Sequence, residues 1–483
     1  VIDLRAIAYV LAQFLLALAG TMLIPLGYGA LTGGRDLAAL AGGALITSLA
    51  GGLVFAILPR PSRELSQREG LLMVVAVWAC VGFFGCLPFY FSPYFDSFTD
   101  AFFEAASGFT TTGATVLADV EVLSHPLQFW RCFSHWLGGM GIVLLGVAIL
   151  PLVGHGGMQL YRAEFSGAKS ERLSPRIAET ALALWKIYFA LTLAQFVALR
   201  LAGMDGFEAL CHTFSTLGTG GFSTRTASVA AFKSPLIEYI IVVFMVLSGI
   251  SFVQHYRLWV ERRPGRLFSD VEVRSFLALT VLASLTIGVI LLWQGDVATE
   301  SAFRDALFQV VSIVTTTGFV TADFEIWHPL PQLLLLALMF VGGCTGSTAG
   351  GMKVSRIVLL AHVVDREFKR MVERHGIFAV RLGGEVIPET TVQSLLNLVY
   401  LAFLVNFVSC LLLAAVGVDV LTSISAVAAS MFNVGPGLGG VGPLDNYGHL
   451  PALAKWVLAG DMIAGRLEFY TVLVILTPAF WRK

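Results

Sequence analysis

Four segments of the sequence share an unusual chemistry of threonine and glycine. They are Ser107-Gly108-Phe109-Thr110-Thr111-Thr112-Gly113-Ala114-Thr115, Ser215-Thr216-Leu217-Gly218-Thr219-Gly220-Gly221-Phe222-Ser223, Ser312-Ile313-Val314-Thr315-Thr316-Thr317-Gly318-Phe319-Val320 and the looser Met431-Phe432-Asn433-Val434-Gly435-Pro436-Gly437-Leu438-Gly439. In the first three a serine stands six positions before the aligned Gly113, Gly221 or Gly318, and Gly437 is the best fourth match. Thr and Gly suit an extended backbone that turns its carbonyl oxygens to one side, and glycine permits the positive φ this demands. Four such strands around one axis would make rings of oxygens able to replace the hydration shell of a monovalent cation. The candidate ion-binding residues are Thr111, Thr112 and Gly113; Thr219, Gly220 and Gly221; Thr316, Thr317 and Gly318; and Val434, Gly435 and Gly437. The competing explanation is that these small residues are helix-packing glue. That would put them inside membrane spans, not after short apolar stretches.

A second constellation lies in the run 331–362, which as one helix would be about 48 Å long against a bilayer core of about 30 Å. Its middle is Gly342-Gly343-Cys344-Thr345-Gly346-Ser347-Thr348-Ala349-Gly350-Gly351-Met352-Lys353. So dense a Gly/Ser/Thr run is a poor helix and should break. It is not a phosphate-binding loop, because no Gly-Lys-Ser/Thr follows. Close packing through Gly342, Gly346 and Gly350 is the alternative. The final apolar run carries Asp461, Arg466 and Glu468. An arginine at that depth is costly unless it faces a cavity or a partner, and marks function by default; Asp461 or another carboxylate is the candidate structural partner. Lys353 falls near the same charges. Glu104 is either an outer-vestibule charge or the partner of Arg131. His135, His212, Gln309, Asn397, Asn406 and Lys186 read as interhelical hydrogen-bonding or snorkelling groups.

The elements that position these residues follow from composition. Only 13% of the 483 residues are charged and 57% are hydrophobic, against about 25% charged in soluble domains. That excludes disordered, collagenous and disulfide-scaffold classes and leaves a polytopic membrane protein. The net charge of −1 is uninformative about partners. Cys80, Cys86, Cys132, Cys211, Cys344 and Cys410 stand singly in apolar surroundings and read as buried thiols. The hydropathy pattern predicts ten spans, near 7–31, 36–59, 70–91, 126–152, 179–202, 235–260, 273–294, 331–362, 392–417 and 451–480. The first is too long for a cleaved signal peptide. Stretches 97–110, 206–217, 302–315 and 421–433 are too short to span and read as re-entrant segments. Asp100, Glu208 and Asp305 stand thirteen positions before the first three aligned glycines. At the outer end of a short helix such acids suit the helix dipole and enrich cations.

Most basic residues fall at Arg5, 60–68, 162–176, 257–274, 353–381 and 482–483, whereas Asp96, Asp100, Asp296, Glu300, Asp323, Glu325, Asp419 and Asp445 fall on the alternate connections. The positive-inside rule then places both termini in the cytoplasm and the four short stretches on the outer side. The expected organisation is an all-α membrane protein with two N-terminal helices over 1–69 and pore units over 70–152, 153–262, 263–362 and 363–483, the second and fourth beginning with cytoplasmic connectors. Connectors 153–178 and 363–389 read as interfacial amphipathic helices or as a docking surface for a cytosolic partner.

Taken together, the four Thr/Gly segments and the broken Gly-rich span resemble the TrkH/TrkG/KtrB/HKT superfamily of potassium transporters over essentially the whole chain. The two extra N-terminal helices resemble its TrkH branch. The resemblance implies four pore loops, K+ as the transported ion and no cofactor. It implies an intramembrane gating loop at Gly346, Ser347, Thr348, Ala349, Gly350 and Lys353, with Arg466 on the path beneath. In that superfamily a serine at the first filter glycine marks sodium-permeant members, so Gly113 implies potassium selectivity; Pro436-Gly437 departs from the Thr-Gly form. It further implies a bacterial inner-membrane location, a homodimer with one pore per chain, and a cytosolic TrkA-like nucleotide-binding regulatory subunit. Nucleic acid has no place in it. A proton- or sodium-coupled secondary transporter is the alternative, but inverted repeats would alternate in topology and these units share one orientation. An enzyme would need a motif such as His-Glu-x-x-His or a Gly-x-Ser-x-Gly elbow, and neither occurs.

Overall fold

The computed structural model describes residues 2–61, 65–149, 177–262, 264–295, 298–374 and 376–482. Of the connector 153–178, residues 153–176 therefore lie outside the described residues. Among the described residues, six helices are long and apolar enough to cross a bilayer: Leu4–Thr32, Leu37–Ile57, Gln67–Tyr90, Ala181–Leu201, Val271–Gln294 and Glu389–Ala415. Their ends are set by local chemistry. Asp3 accepts from the backbone N–H groups of Arg5 and Ala6, Gly33 closes the first helix in the left-handed conformation, and Ser66 with Glu69 forms a capping box.

Several expected spans are interrupted. Pro235–Gly249 and Phe252–Trp259 meet at 98°, where the sequence suggests one straight span over 235–260. The run 331–362 breaks as its composition demands: helix Pro329–Met339 stops and the next, Val354–Val372, starts only beyond the Gly-rich loop. The final span also divides, into Ala452–Arg466 and Tyr470–Leu476. Connector 363–389 is not one interfacial helix. Its helix ends at Val372, and a two-stranded antiparallel hairpin pairs Arg381 with Val386 and Leu382 with Glu385.

The four short stretches are helices Phe98–Phe109, Gly206–Gly218, Thr299–Val314 and Val420–Met431. Ser97, Asp205 and Asp419 cap the first, second and fourth by accepting from backbone N–H groups. These helices are buried over nearly all of their second half, so the extended segments that follow lie in the centre of the protein and not at its lipid-facing surface. The main core gathers aromatics around them, with Trp130, Phe103 and Phe324 fully enclosed.

Candidate functional site

Each short helix ends in the same way. Thr111, Thr219, Thr316 and Asn433 have φ of 55°, 54°, 54° and 56°. For a β-branched residue that conformation is a true outlier. It is held because the next N–H turns back on the helix: Thr112 to Ser107 O, Gly220 to Ser215 O, Thr317 to Ser312 O and Val434 to Ala429 O, at 2.8–2.9 Å. This is the Schellman closure, with threonine or asparagine where glycine is usual. Two residues after each outlier comes a glycine, also at positive φ: Gly113 (84°), Gly221 (80°), Gly318 (77°) and Gly435 (100°).

These glycines close a ring. A Cβ at Gly113 would strike the Gly220 carbonyl oxygen, one at Gly221 the Thr317 oxygen, one at Gly318 the Val434 oxygen, and one at Gly435 the Thr112 oxygen. Four extended segments thus surround one axis, each glycine under the carbonyl of its neighbour. The fourth member is Gly435. The alignment on Gly437 is corrected by two residues: Gly437 lacks positive φ and packs instead against Ser425 and Val441. Among the described residues, the carbonyls of Thr111, Thr112, Gly113, Thr219, Gly220, Gly221, Thr316, Thr317, Gly318 and Val434 accept no hydrogen bond. Gly113, Gly221 and Gly318 are half-buried beside a cavity, but the other seven residues are buried, and buried carbonyls are seldom left so. A cavity of about 90 Å³ borders the ring, lined by all four ring glycines together with Arg131, Arg225, Asp445 and Tyr447.

The segments are braced differently. In the first and third, Thr110 and Thr112, and Thr315 and Thr317, link their hydroxyls at 2.8 Å. The second has Gly218 and Gly220 at those places, and the His135 ring fills the space a Cβ at Gly220 would need while stacking on Phe222 at 4.1 Å. Sequence patterns had marked His135 only as a hydrogen-bonding group. Glu104 is the partner of Arg131, 2.5 Å away with side chains 0% and 3% exposed, and not a free vestibule charge. That pair ties two segments together: Glu104 accepts from Val116 N–H at 3.0 Å, and Arg131 donates to Ser223 O at 3.0 Å and lies 3.5 Å over the Phe222 ring. In the loops beside this cavity the Glu208 carboxylate, aided by Glu121, holds the Arg225 guanidinium above its ordinary range.

Beneath the ring lies the Gly-rich loop. Gly350 N–H donates to Thr316 Oγ1 at 2.6 Å and Gly351 N–H to Phe432 O at 3.1 Å, so the loop abuts the third and fourth segments. The bend after Gly249 receives its other face: Cys344 N–H donates to Gly249 O at 2.8 Å, and Phe252 N–H to Gly346 O at 3.0 Å. Glu272, unremarked in the sequence, accepts from Thr345 N–H at 2.7 Å and Ser355 N–H at 3.1 Å, gathering both ends of the loop. Arg466 is 4% exposed and donates to Thr348 O at 2.8 Å, and its Nε and Nη2 have no partner among the described residues. Its expected partner Asp461 accepts from Ser409 at 2.9 Å, and Glu468 pairs with Arg356 at 2.8 Å. Lys353 donates to Ala349 O. Gly346, Ser347, Thr348, Ala349, Gly350, Lys353 and Arg466 therefore form one cluster next to the third and fourth segments of the ring. The packing alternative for the glycines is partly realised too, since Gly350 lies against Phe432 O.

The apolar helices around four extended central segments fit a multi-pass membrane protein, and the family match gives its class as cation transport. The family model TrkH, described as a cation transport protein, matches residues 38–483, and the chain belongs to this family. It is 42% identical over 487 residues to the Trk system potassium uptake protein TrkH of Salmonella typhimurium, covering 99% of both chains. It is 46% identical over 430 residues to the protein of the same name from Vibrio parahaemolyticus, covering 88% of each. The crystal structure of the potassium transporter TrkH from Vibrio parahaemolyticus superimposes with a TM-score of 0.92 at 40% identity over 100% of both chains.

Proposed function

We propose that this chain is the potassium-translocating subunit of a bacterial Trk-type uptake system. The ring of Thr112, Gly220, Thr317 and Val434 carbonyls packed against Gly113, Gly221, Gly318 and Gly435 carries the reading. Such oxygens substitute for the water shell of a monovalent cation. The short helices aim their partly negative C-terminal ends at the inner side of the ring, where a dehydrating ion gains most from them. The Gly-rich loop is the gate, and Arg466, bonded to its Thr348 carbonyl, is both a fixed positive charge on the path and a latch on the loop. The names of the relatives support potassium as the cargo.

Four pore units in ten membrane passes, with both termini cytoplasmic in the inner membrane, fit the distribution of basic residues. A homodimer served by a TrkA-like cytosolic subunit completes the proposed system. The purified chain in liposomes should pass K+ and Rb+ in preference to Na+ and Li+, and Gly113→Ser should reduce K+ over Na+ selectivity. Equal flux of all four ions through the unaltered protein would sink the proposal.

A further inference from the structure

The fourth segment is the odd member of the ring. Where the first and third carry paired threonines, it has Phe432 and Val434 and so no hydroxyl to brace it. His135 supplies the missing support in the second segment. In the fourth, Asn433 Nδ2 donates to Thr112 Oγ1 at 2.9 Å and to Met462 O at 3.0 Å, and the Gly435 carbonyl is held by Tyr447. Its hydroxyl donates to Gly435 O at 2.7 Å, whereas among the described residues the matching carbonyls of Gly113, Gly221 and Gly318 accept nothing. The tyrosine is itself fixed on three sides. Its N–H donates to Thr115 O at 2.8 Å, its ring lies 5.4 Å from that of Phe103, and the adjoining Gly448 carbonyl accepts from Lys455 at 2.8 Å. Lys455 in turn pairs at 2.5 Å with Asp100, at the start of the first short helix. The Gly435 carbonyl is thereby tied to the first unit.

We propose that Tyr447 is a selectivity-determining positioning residue whose hydroxyl tethers the Gly435 carbonyl and prevents the ring from contracting around an ion smaller than K+. The inference rests on reading the ring as the ion filter. An oxygen that is free to move inward can follow the smaller Na+, while one held by a rigidly seated phenol cannot. The tether therefore discriminates against small ions and leaves the similarly sized Rb+ untouched. It acts through the backbone, without Tyr447 itself contacting the ion.

The test uses the full chain in liposomes and the variant Tyr447→Phe, which keeps the ring against Phe103 and removes only the hydroxyl. The K+/Na+ permeability ratio should fall about 2- to 10-fold, the equivalent of one buried hydrogen bond, with K+/Rb+ unchanged. A lower yield of folded protein or lower total flux at an unchanged K+/Na+ ratio would reduce Tyr447 to a structural residue and overturn the proposal. Gly113→Ser, run in parallel, separates the two layers. If it lowers selectivity while Tyr447→Phe does not, the tether fails and the filter stands. If neither changes the ratio, the filter reading fails and takes the tether with it.

Discussion

The Glu104–Arg131 pair offers the sharpest energetic test, because both charges are enclosed and each holds a different part of the ring. Glu104 anchors the outer end of the first segment at Thr115 and Val116, and Arg131 the outer end of the second at Ser223. With side chains 0% and 3% exposed, solvent cannot rescue whichever charge is left alone. Removing one member of a buried pair costs about 3–5 kcal/mol. Arg131→Met should lie at the upper end, since it strands a carboxylate and removes the cation over Phe222. Glu104→Gln should lie at the lower end, because the amide oxygen can still accept from Val116 and the guanidinium keeps Ser223 O. In the double variant no unpaired charge remains, so its cost should fall short of the sum of the singles by about 2–3 kcal/mol. Reversible unfolding in mixed detergent micelles measures the cycle, and K+ uptake into liposomes should follow the same order. Additivity within about 0.5 kcal/mol would refute the pairing as an energetic unit.

Three further outcomes are expected. Arg466→Ala should raise cation flux, through loss of a positive charge and of the bond to Thr348 O; lowered flux in a folded protein would refute the barrier role. Deleting part of 346–350 should increase closed-state leak in the same liposome assay, and an unchanged leak would favour simple packing of the loop. Gly435→Ala, which forces a methyl group into the Thr112 carbonyl at a φ of 100°, should degrade ion selectivity. Gly437→Ala, tight against Ser425 but without positive φ, should at most lower stability.

Much of this arrangement is visible in residue order. The four short helices begin and end within a few residues of the apolar stretches 97–110, 206–217, 302–315 and 421–433, because length and the Thr/Gly stop are local properties. The break in 331–362 is local too, since the glycines themselves disfavour helix. The fourth register is not. Pro436-Gly437 imitates a turn, and only the return of Val434 N–H to Ala429 O makes Asn433 and Gly435 the equivalents of Thr111 and Gly113. The Arg466 partner fails for a geometric reason: residues five apart on a helix point about 140° away from each other, so Asp461 turns toward Ser409 and Arg466 toward the loop.

The bend at Gly249 is the clearest case of structure imposed from a distance. Residues 235–260 carry no proline inside the apolar run and read as one uninterrupted span. A helix that breaks there leaves backbone groups without intrahelical partners, which inside lipid costs several kcal/mol each unless other protein groups supply them. The loop does so in both directions, through Cys344 N–H onto Gly249 O and Gly346 O onto Phe252 N–H, and Thr348 Oγ1 adds a bond to Ser248 O at 3.3 Å. The loop and the bend are therefore one object: neither has its polar groups satisfied without the other. A loop that moves to admit ions must either carry the bent helix with it or expose these groups to the water that enters, and the second is possible only when the path is open.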